Sequence, residues 1–176
     1  MAANWTAFVS GSVLTAAELN GVVDNFADIA IFNETQASGT QGGTFTGGSF
    51  VKRTLNTTVV NNITGCSIAS SVITLPAGTY LVTASAPAYK TDGHKVRLQN
   101  TTDATTELKG TTERTGSGDD SQVRSFLEGA FTIAAQKDFE LQHRCNTTRA
   151  TNGLGVASSM AGIDEVYSTI QITRIA

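Results

Sequence analysis

The amino-acid sequence predicts a mainly β protein, an antiparallel sandwich or jelly roll, preceded by one short helix. Charged residues make up only 15% of the 176-residue chain. Val, Ile and Thr are plentiful, while helix formers become scarce after about the first thirty residues. About ten short strand patterns follow one another with turn residues between them. No helical periodicity separates these strands, so parallel βαβ units are not expected.

The N-terminal segment, residues 1–35, is predicted to be a separate unit with a helix over about residues 15–33. Thr15-Ala16-Ala17-Glu18 fits a capping box, and Leu14 and Leu19 are spaced as its hydrophobic staple. Behind the cap comes a heptad-like apolar seam formed by Leu19, Val22, Phe26 and Ile29, with Asn33 four residues later. A lone helix of this length is marginal in water. We therefore favour a helix that self-associates or docks on a partner over one that packs on its own domain.

Apolar residues also precede the helix, and a Gly-rich stretch follows it. Trp5, Phe8 and Val9 are exposed anchors unless a partner covers them. Residues 36–49, QASGTQGGTFTGGS, have no periodicity beyond Phe45 and predict a flexible neck. The compact β domain is then expected over residues 50–176, a normal size for a single domain.

Within that domain, Leu75-Pro76-Ala77-Gly78 predicts a turn that joins two strands as a hairpin. A further strand, Lys95–Asn100, alternates with Val96 and Leu98 on one face. The other strand candidates are Phe50–Asn56, Thr57–Asn61, Ser67–Leu75, Thr79–Ala86, Thr105–Thr112, Val123–Ile133, Phe139–Cys145, Leu154–Met160 and Tyr167–Ile175.

Alternation also predicts which residues face the core. Two strands contribute most of them: Val123, Leu127, Phe131 and Ile133 in one, and Phe139, Leu141, His143 and Cys145 in the other. The last strand has Ile170 and Ile172 on one face.

Charge and composition exclude several classes of function. A net charge of −3 and a pI near 5.3 predict no basic surface, and hence no binding to nucleic acid or anionic membranes. No apolar run is long enough to cross a bilayer, and the first residues lack the order of a signal peptide. Cys66 and Cys145 are therefore expected to be buried reduced thiols rather than a disulfide.

Several longer stretches resemble a known family. The runs ITLPAGTYLVTASAPAYKTDGHKVRLQNTTDATTELKGT and RSFLEGAFTIAAQKDFELQHRCNTTRATNGLGVAS, with the closing EVYSTIQITRI, are similar to C1q/TNF-like jelly rolls on tailed-phage fibres and spikes. This resemblance covers most of the chain from about Phe50 onward. The opening WTAFVSGSVLTAAELN resembles the N-terminal segments that hold phage fibre proteins on the particle.

The resemblance implies a homotrimer on the virion surface, made in the bacterial cytoplasm and without enzymatic activity. Its N-terminus would bind a phage capsid or tail protein. The expected anchoring residues are Trp5, Phe8, Val9 and Leu14, and the expected trimer seam is Leu19, Val22, Phe26 and Ile29. No collagen-like stalk precedes the domain, which argues against a long fibre.

Candidate chemistry in the chain is sparse. His143 and Cys145 share a strand face, but a zinc site needs two more ligands, and we expect no metal and no cofactor. The carboxylate pairs Asp119-Asp120 and Asp138/Glu140 fall in a loop and at a turn, and no catalytic motif accompanies them. The expected contact surface is instead the loops, with Asp119, Asp120, Arg149 and Asn152 as candidates; soluble loops without a partner are the alternative.

These observations predict a non-enzymatic trimeric protein on a tailed-phage virion, serving as a head decoration, cap or short head-fibre knob. The alternative is a short tail-fibre or tail-tip knob that binds a host surface glycan or protein. A secreted bacterial adhesin is a third candidate, which the absence of a signal sequence disfavours.

Overall fold

The computed structural model describes residue 15 and residues 28–175. Within them the chain forms strands and no helix, so no helix there could span a membrane. The strands are β1 (Ile29–Gln36), β2 (Val51–Lys52), β3 (Thr57–Asn61), β4 (Ser67–Ala69), β5 (Val72–Leu75), β6 (Gly78–Tyr89), β7 (Asp92–Asn100), β8 (Thr105–Lys109), β9 (Glu113–Thr115), β10 (Gln122–Ile133), β11 (Lys137–Cys145) and β12 (Glu165–Arg174).

These strands form two antiparallel sheets, as the sequence predicts. Sheet 1 has five strands in the order β10-β6-β12-β1-β3. Sheet 2 has seven strands, with the central order β4-β5-β11-β7-β8, β2 beside β11 and β9 beside β7. Neighbours in both sheets are mostly far apart along the chain, which is typical of jelly rolls.

The core lies between the sheets and is filled from alternate positions of each strand. In β11 the inward residues Phe139, Leu141, His143 and Cys145 are buried, and in β12 Ile170 and Ile172 are fully buried, as predicted. In β10, Leu127 and Ile133 are buried while Val123 and Phe131 are partly buried on the same face. A fully buried Leu or Ile stabilises the fold by about 1.5–3 kcal/mol relative to an exposed one.

The strand register gives the sandwich two distinct ends. Ile29 lies opposite Thr173, and Arg174 lies opposite Tyr80, so the described chain enters and leaves at one end. We call this the terminal end. At the other end, the loop end, Tyr89 of β6 pairs with Gln122 of β10. At about 3.3 Å per residue, β6 separates the two ends by about 35 Å.

The predicted hairpin around Pro76 is wrong. β5 pairs with β4 and β11 in sheet 2, whereas β6 pairs with β10 and β12 in sheet 1. The turn is therefore a crossing between sheets, where the Tyr80 hydroxyl donates to the Pro76 carbonyl at 2.7 Å. The local turn signal was correct, but a turn sequence does not determine which sheet the next strand joins.

The predicted helix is also wrong for the part of it that the structure describes. Residues 29–33 belong to β1, which pairs with β12 on one side and β3 on the other. Alternation buries Ala30, Phe32 and Glu34 toward sheet 2, and Ile29 faces the other way. Ile29 is thus part of a sheet and not of a helical seam. The β-branched and aromatic residues of this stretch favour a strand once a sheet edge is available.

The predicted neck packs on the domain instead of linking to it. Phe45 is fully buried against Ala88 and Cys145. The backbone of residues 42–48, which we call the Gly strap, pairs with the loop after β11: Phe45 and Arg149 exchange hydrogen bonds of 2.9 and 3.0 Å. The glycines allow this close approach, because a Cβ on Gly42 would lie 2.9 Å from the backbone of Leu154.

Two smaller strand predictions also needed correction. Residues 154–160 form no strand, because their start at Leu154 is bonded to the Gly strap, whose Gly43 accepts the Leu154 N–H at 3.1 Å. The predicted strand Ser67–Leu75 is interrupted by a tight turn in which Ser70 and Ser71 take φ values of 49° and 62°. Both serines thus adopt the left-handed conformation of a two-residue hairpin turn.

Candidate functional site at the loop end

The predicted anchoring residues and most of the predicted seam lie outside the described residues: Trp5, Phe8, Val9, Leu14, Leu19, Val22 and Phe26. The predicted contact residues lie within them. Asp119, Asp120, Arg149 and Asn152 are all at the loop end, opposite the end from which the N-terminal segment departs. The loop end is therefore the first candidate for a functional surface.

Tyr89 brings three of these four residues together. Its hydroxyl donates to Asp120 Oδ1, and Lys90 Nζ lies 3.4 Å from the same oxygen. The Arg149 guanidinium lies 5.7 Å from the centre of the Tyr89 ring, and Arg149 Nε donates to Asn152 Oδ1 at 3.0 Å. The Tyr89 hydrogen bond, with the charge of Lys90, lowers the pKa of Asp120. The carboxylate is thus ionised, and 85% of its side-chain surface is exposed.

Asp92 joins the neighbouring loops. The Thr147 hydroxyl donates to Asp92 Oδ2 at 2.5 Å, and the Ser117 N–H donates to Oδ1 at 3.3 Å. The hydrogen bond from Thr147 contributes most to lowering the Asp92 pKa. Asp119 makes no comparable contact in the described chain; its N–H closes a turn on the Gly116 carbonyl at 3.0 Å. The loops after β9 and β11 are therefore held by one carboxylate.

A third carboxylate holds the segment before the Gly strap. Glu165 accepts N–H groups from Gly39, Ser158 and Ser159 at 2.8–3.1 Å, and the Ser158 hydroxyl as well. These hydrogen bonds lower the Glu165 pKa to about 2. Gly153 is packed so closely that an added Cβ would lie 2.6 Å from the Arg149 carbonyl oxygen and 2.7 Å from Phe45 Cβ. The loop end is therefore an ordered surface.

Beneath the loop end lies a buried ion pair that the sequence did not reveal. Arg53 is fully buried, and its Nη2 lies 2.6 Å from Glu34 Oε2. The same oxygen accepts Arg53 Nε at 2.9 Å and the Ser168 hydroxyl at 2.8 Å. Glu34 and Ser168 come from sheet 1, whereas Arg53 follows β2 of sheet 2. No local pattern distinguishes these residues from surface charges.

The two histidines lie next to this pair. His94 Nδ1 is 3.1 Å from His143 Nε2, and the His143 ring contacts Phe45 at a centroid distance of 4.6 Å. Burial lowers the pKa of His94 to about 4 and that of His143 well below its usual value. Among the described residues, no group of three or more His, Cys, Asp or Glu side chains could hold a metal ion. Both histidines are neutral core residues.

The remaining candidate groups have structural contacts. Asp138 accepts the Thr74 hydroxyl at 2.7 Å, and Glu140 accepts Gln142 Nε2 at 2.7 Å. Cys66 and Cys145 are free thiols, and burial raises the pKa of each to about 11, which suppresses the reactive thiolate.

The outward face of sheet 1 is a second surface of interest. A shallow open groove of about 470 Å³ crosses four of its five strands, β10, β6, β12 and β1. It is lined by Ile31, Thr83, Ser85, Phe126, Glu128, Thr169 and Gln171 among others. Phe126 is 55% exposed and Leu81 is 43% exposed on this face. Asn33, also on this face of β1, has a buried Oδ1 without a hydrogen-bond partner in the described residues. Such a face is suited to contact with protein.

No protein-family model matches the chain, and no curated protein matches it in sequence. Solved structures do match it. The globular domain of zebrafish complement 1qA protein is 11% identical, with 85% of this chain and 98% of that chain covered and a TM-score of 0.54. Murine APRIL at pH 5.0 is 9% identical, with 83% and 97% covered and a TM-score of 0.55.

The PRD1 vertex protein P5 is 16% identical, with 85% and 98% covered and a TM-score of 0.49. At these identities the first two similarities describe the fold alone. They agree with the two-sheet topology and with the resemblance found in the sequence. The described chain has the fold of a C1q/TNF-like jelly roll.

Proposed function

We propose that this chain is a non-enzymatic structural protein, a homotrimeric knob on the surface of a tailed-phage virion, acting as a head decoration, cap or short head fibre. The C1q/TNF-like fold supports the knob. The resemblance of the PAGTY, HKVRLQN and opening WTAFVSGSVLTAAELN elements to phage surface proteins supports the virion location.

The proposed trimer rests on the properties of the outward face of sheet 1. Its centre is mostly uncharged and concave, and the exposed Phe126 is part of the lining of the groove. A second copy placed there would cover Phe126 and could donate to Asn33 Oδ1, which is buried without a partner in residues 28–175. Removing Phe126 from water favours association, and pairing a buried acceptor removes a desolvation cost.

The two ends of the sandwich support an anchored and outward-facing arrangement. Residues 1–27 precede β1 in the chain, and β1 begins at the terminal end, about 35 Å from Tyr89 at the loop end. An N-terminus bound to the particle would point the loop end away from it. In this arrangement the N-terminal residues attach the knob, and Asp120 and Arg149 lie on its outer surface.

The alternative is a tail-fibre or tail-tip knob that binds a host receptor. The observation in its favour is the ordered, exposed polar cluster at the loop end, where Asp120 is held by Tyr89 and Lys90. Ordered polar groups lose little conformational entropy when they bind.

Sedimentation of the full chain tests the trimer. We expect a trimer at micromolar concentration, and Phe126→Glu should shift it to a monomer without unfolding it, because Phe126 is already exposed. Ile163→Ser, which removes a side chain that is 61% exposed on a loop, is the matched control and should remain trimeric. A monomeric wild type, or a trimeric Phe126→Glu, would contradict the proposed interface.

The location on the particle needs a separate experiment. A map of the virion should show the knob on the head. Density at the tail alone, or purified knob that blocks adsorption of the phage to host cells, would favour the receptor-binding alternative instead.

A further inference from the structure

The outward face of sheet 2 concentrates positive charge in a chain whose net charge is −3. In β7, burial of His94, Val96 and Leu98 turns Lys95 and Arg97 outward. By the same alternation Arg144 of β11 and Lys109 of β8 project from this face, and both are exposed. We call Lys95, Arg97, Lys109 and Arg144 the basic strip. It contradicts the expectation of no basic surface, which rested on net charge alone.

The strand register places like charges directly opposite one another in this strip. Arg144 lies opposite Lys95, and Arg97 lies opposite Lys109. Directly opposite residues in an antiparallel pair are about 5 Å apart, where like charges destabilise the sheet. Within the described part of the chain, none of the four has an ion pair with a carboxylate; the nearby Glu140 is 3.4 Å from Lys52 instead. The fold thus carries an electrostatic cost that an anionic partner would relieve.

Arg97 is also held in a fixed orientation. Its guanidinium stacks on the Phe50 ring, with Cζ 3.7 Å from the ring centre. Its Nε and Nη2 donate to Gln142 Oε1 at 2.9 and 2.7 Å, and its Nη1 donates to the Thr106 hydroxyl at 3.0 Å. These bonds use three of the five N–H groups of an arginine, so two remain. An arginine fixed in this way loses little entropy when it binds a carboxylate.

We propose that the basic strip binds an acidic polysaccharide through its carboxylate groups. The strip crosses three strands, a width of about 10 Å, which is suited to a short stretch of an acidic sugar chain. Gln142 lies beside the cations, and the second N–H of its side-chain amide can bond a sugar hydroxyl. The strip lies on the opposite sheet from the proposed trimer interface, so a trimer leaves it free. The inference does not depend on a phage origin.

A carbohydrate fits these observations better than nucleic acid does. One face of Phe50, the aromatic ring of this surface, is covered by Arg97, so a base has no free platform on that side. The rest of the chain is acidic, which disfavours a polymer as densely charged as nucleic acid.

Binding of the full chain to immobilised polyguluronate tests the proposal, with uncharged dextran as the control polymer. We expect binding at about 50 mM salt that is lost at about 500 mM, because exposed charge pairs are screened within a few ångströms at high salt. Dextran should bind at neither concentration.

Two charge-matched variants make the test specific. Lys95→Gln/Arg144→Gln removes two strip cations, and we expect affinity to fall about tenfold. Lys137→Gln/Arg174→Gln removes the same charge at the terminal end and should change affinity by less than about twofold. The strip variant should melt no lower than wild type, because it removes a like-charge pair.

Three results would overturn the proposal. They are absence of polyguluronate binding at low salt, equal binding by the two double variants, and tighter binding of single-stranded DNA than of polyguluronate at the same salt concentration. The last result would assign the strip to nucleic acid.

Discussion

His94 and His143 meet nearly edge-on between the two sheets, with His94 Nδ1 3.1 Å from His143 Nε2 and the ring planes at 65°. Each ring has its second nitrogen buried without a hydrogen-bond partner in the described residues. The nearby charge of Arg53 disfavours a positive charge on His143. Glu113, which lies opposite His94, favours a positive charge on His94. Burial outweighs Glu113, so both rings are neutral in the folded protein.

This geometry predicts that the knob loses stability in mild acid. The pKa of His94 is about 4 when folded, against about 6.5 when unfolded, so below pH 6.5 the unfolded chain binds more protons. The part of the free energy of unfolding that depends on a neutral His94 is fully present above pH 6.5 and is lost as the pH falls toward 4. Between pH 7 and pH 5 we expect His94 alone to cost about 2 kcal/mol, with His143 adding to it. Urea unfolding at the two pH values measures this.

A His94→Gln/His143→Gln variant is the control, since these are the chain's two histidines. It should be less stable at pH 7 and should lose most of the difference between pH 7 and pH 5. An unchanged pH difference in this variant would assign the acid sensitivity to carboxylates.

The Arg53–Glu34 pair should be costly to break from one side. Glu34→Gln leaves the buried guanidinium without a counter-charge, and we expect the free energy of unfolding to fall by about 3–5 kcal/mol. The exposed pair of Lys137 and Asp103, at 2.7 Å, is the contrast, and Lys137→Ala should cost less than about 1 kcal/mol. Guanidinium unfolding measures both. Replacing both partners, as Glu34→Leu/Arg53→Met, should recover much of the loss, and a cost as large as that of Glu34→Gln would contradict the charge argument.

Phe45 should behave as a core residue although it lies in a Gly-rich segment. It is fully buried against Ala88 and Cys145, so Phe45→Ala should lower the free energy of unfolding by about 3–5 kcal/mol. Thermal or urea unfolding measures the loss. The matched control is Thr46→Ala at the exposed neighbouring position, which should change stability by less than about 0.5 kcal/mol. A negligible effect of Phe45→Ala would mean that the Gly strap is a linker after all.

Truncation should separate the N-terminal segment from the fold at residue 28 and not at residue 36. Removing residues 1–27 leaves β1 intact, and we expect a cooperatively folded knob. Removing residues 1–35 deletes nearly all of β1, including Phe32 and the Glu34 partner of Arg53, and should leave an unfolded or aggregating chain. Circular dichroism and thermal melting compare the two. Cooperative folding of the shorter chain would place β1 outside the core. On the proposed function, the chain without residues 1–27 should no longer join particles.

Sequence patterns alone predict a mainly β antiparallel sandwich, most of its strands and most of the residues that face the core. β3 begins and ends where predicted, and the inward positions of β11 and β12 follow from alternation. This information is local, because a strand with one buried face must alternate with a period of two. The resemblance of longer stretches to C1q/TNF-like jelly rolls agrees with the fold that the structure shows.

Features that depend on pairing between distant residues are visible only in the folded structure. The sequence around Pro76 signals a turn, but only the partners β10, β11 and β12 place β5 and β6 in different sheets. A Gly-rich segment has no periodicity, yet Arg149 gives its backbone a partner and Phe45 fills the end of the core. The basic strip also depends on pairing between distant segments. The net charge sums over the whole chain, whereas the register of β7 with β8 and β11 brings four cations together. Non-local contacts supply these free energies, so no local pattern contains them.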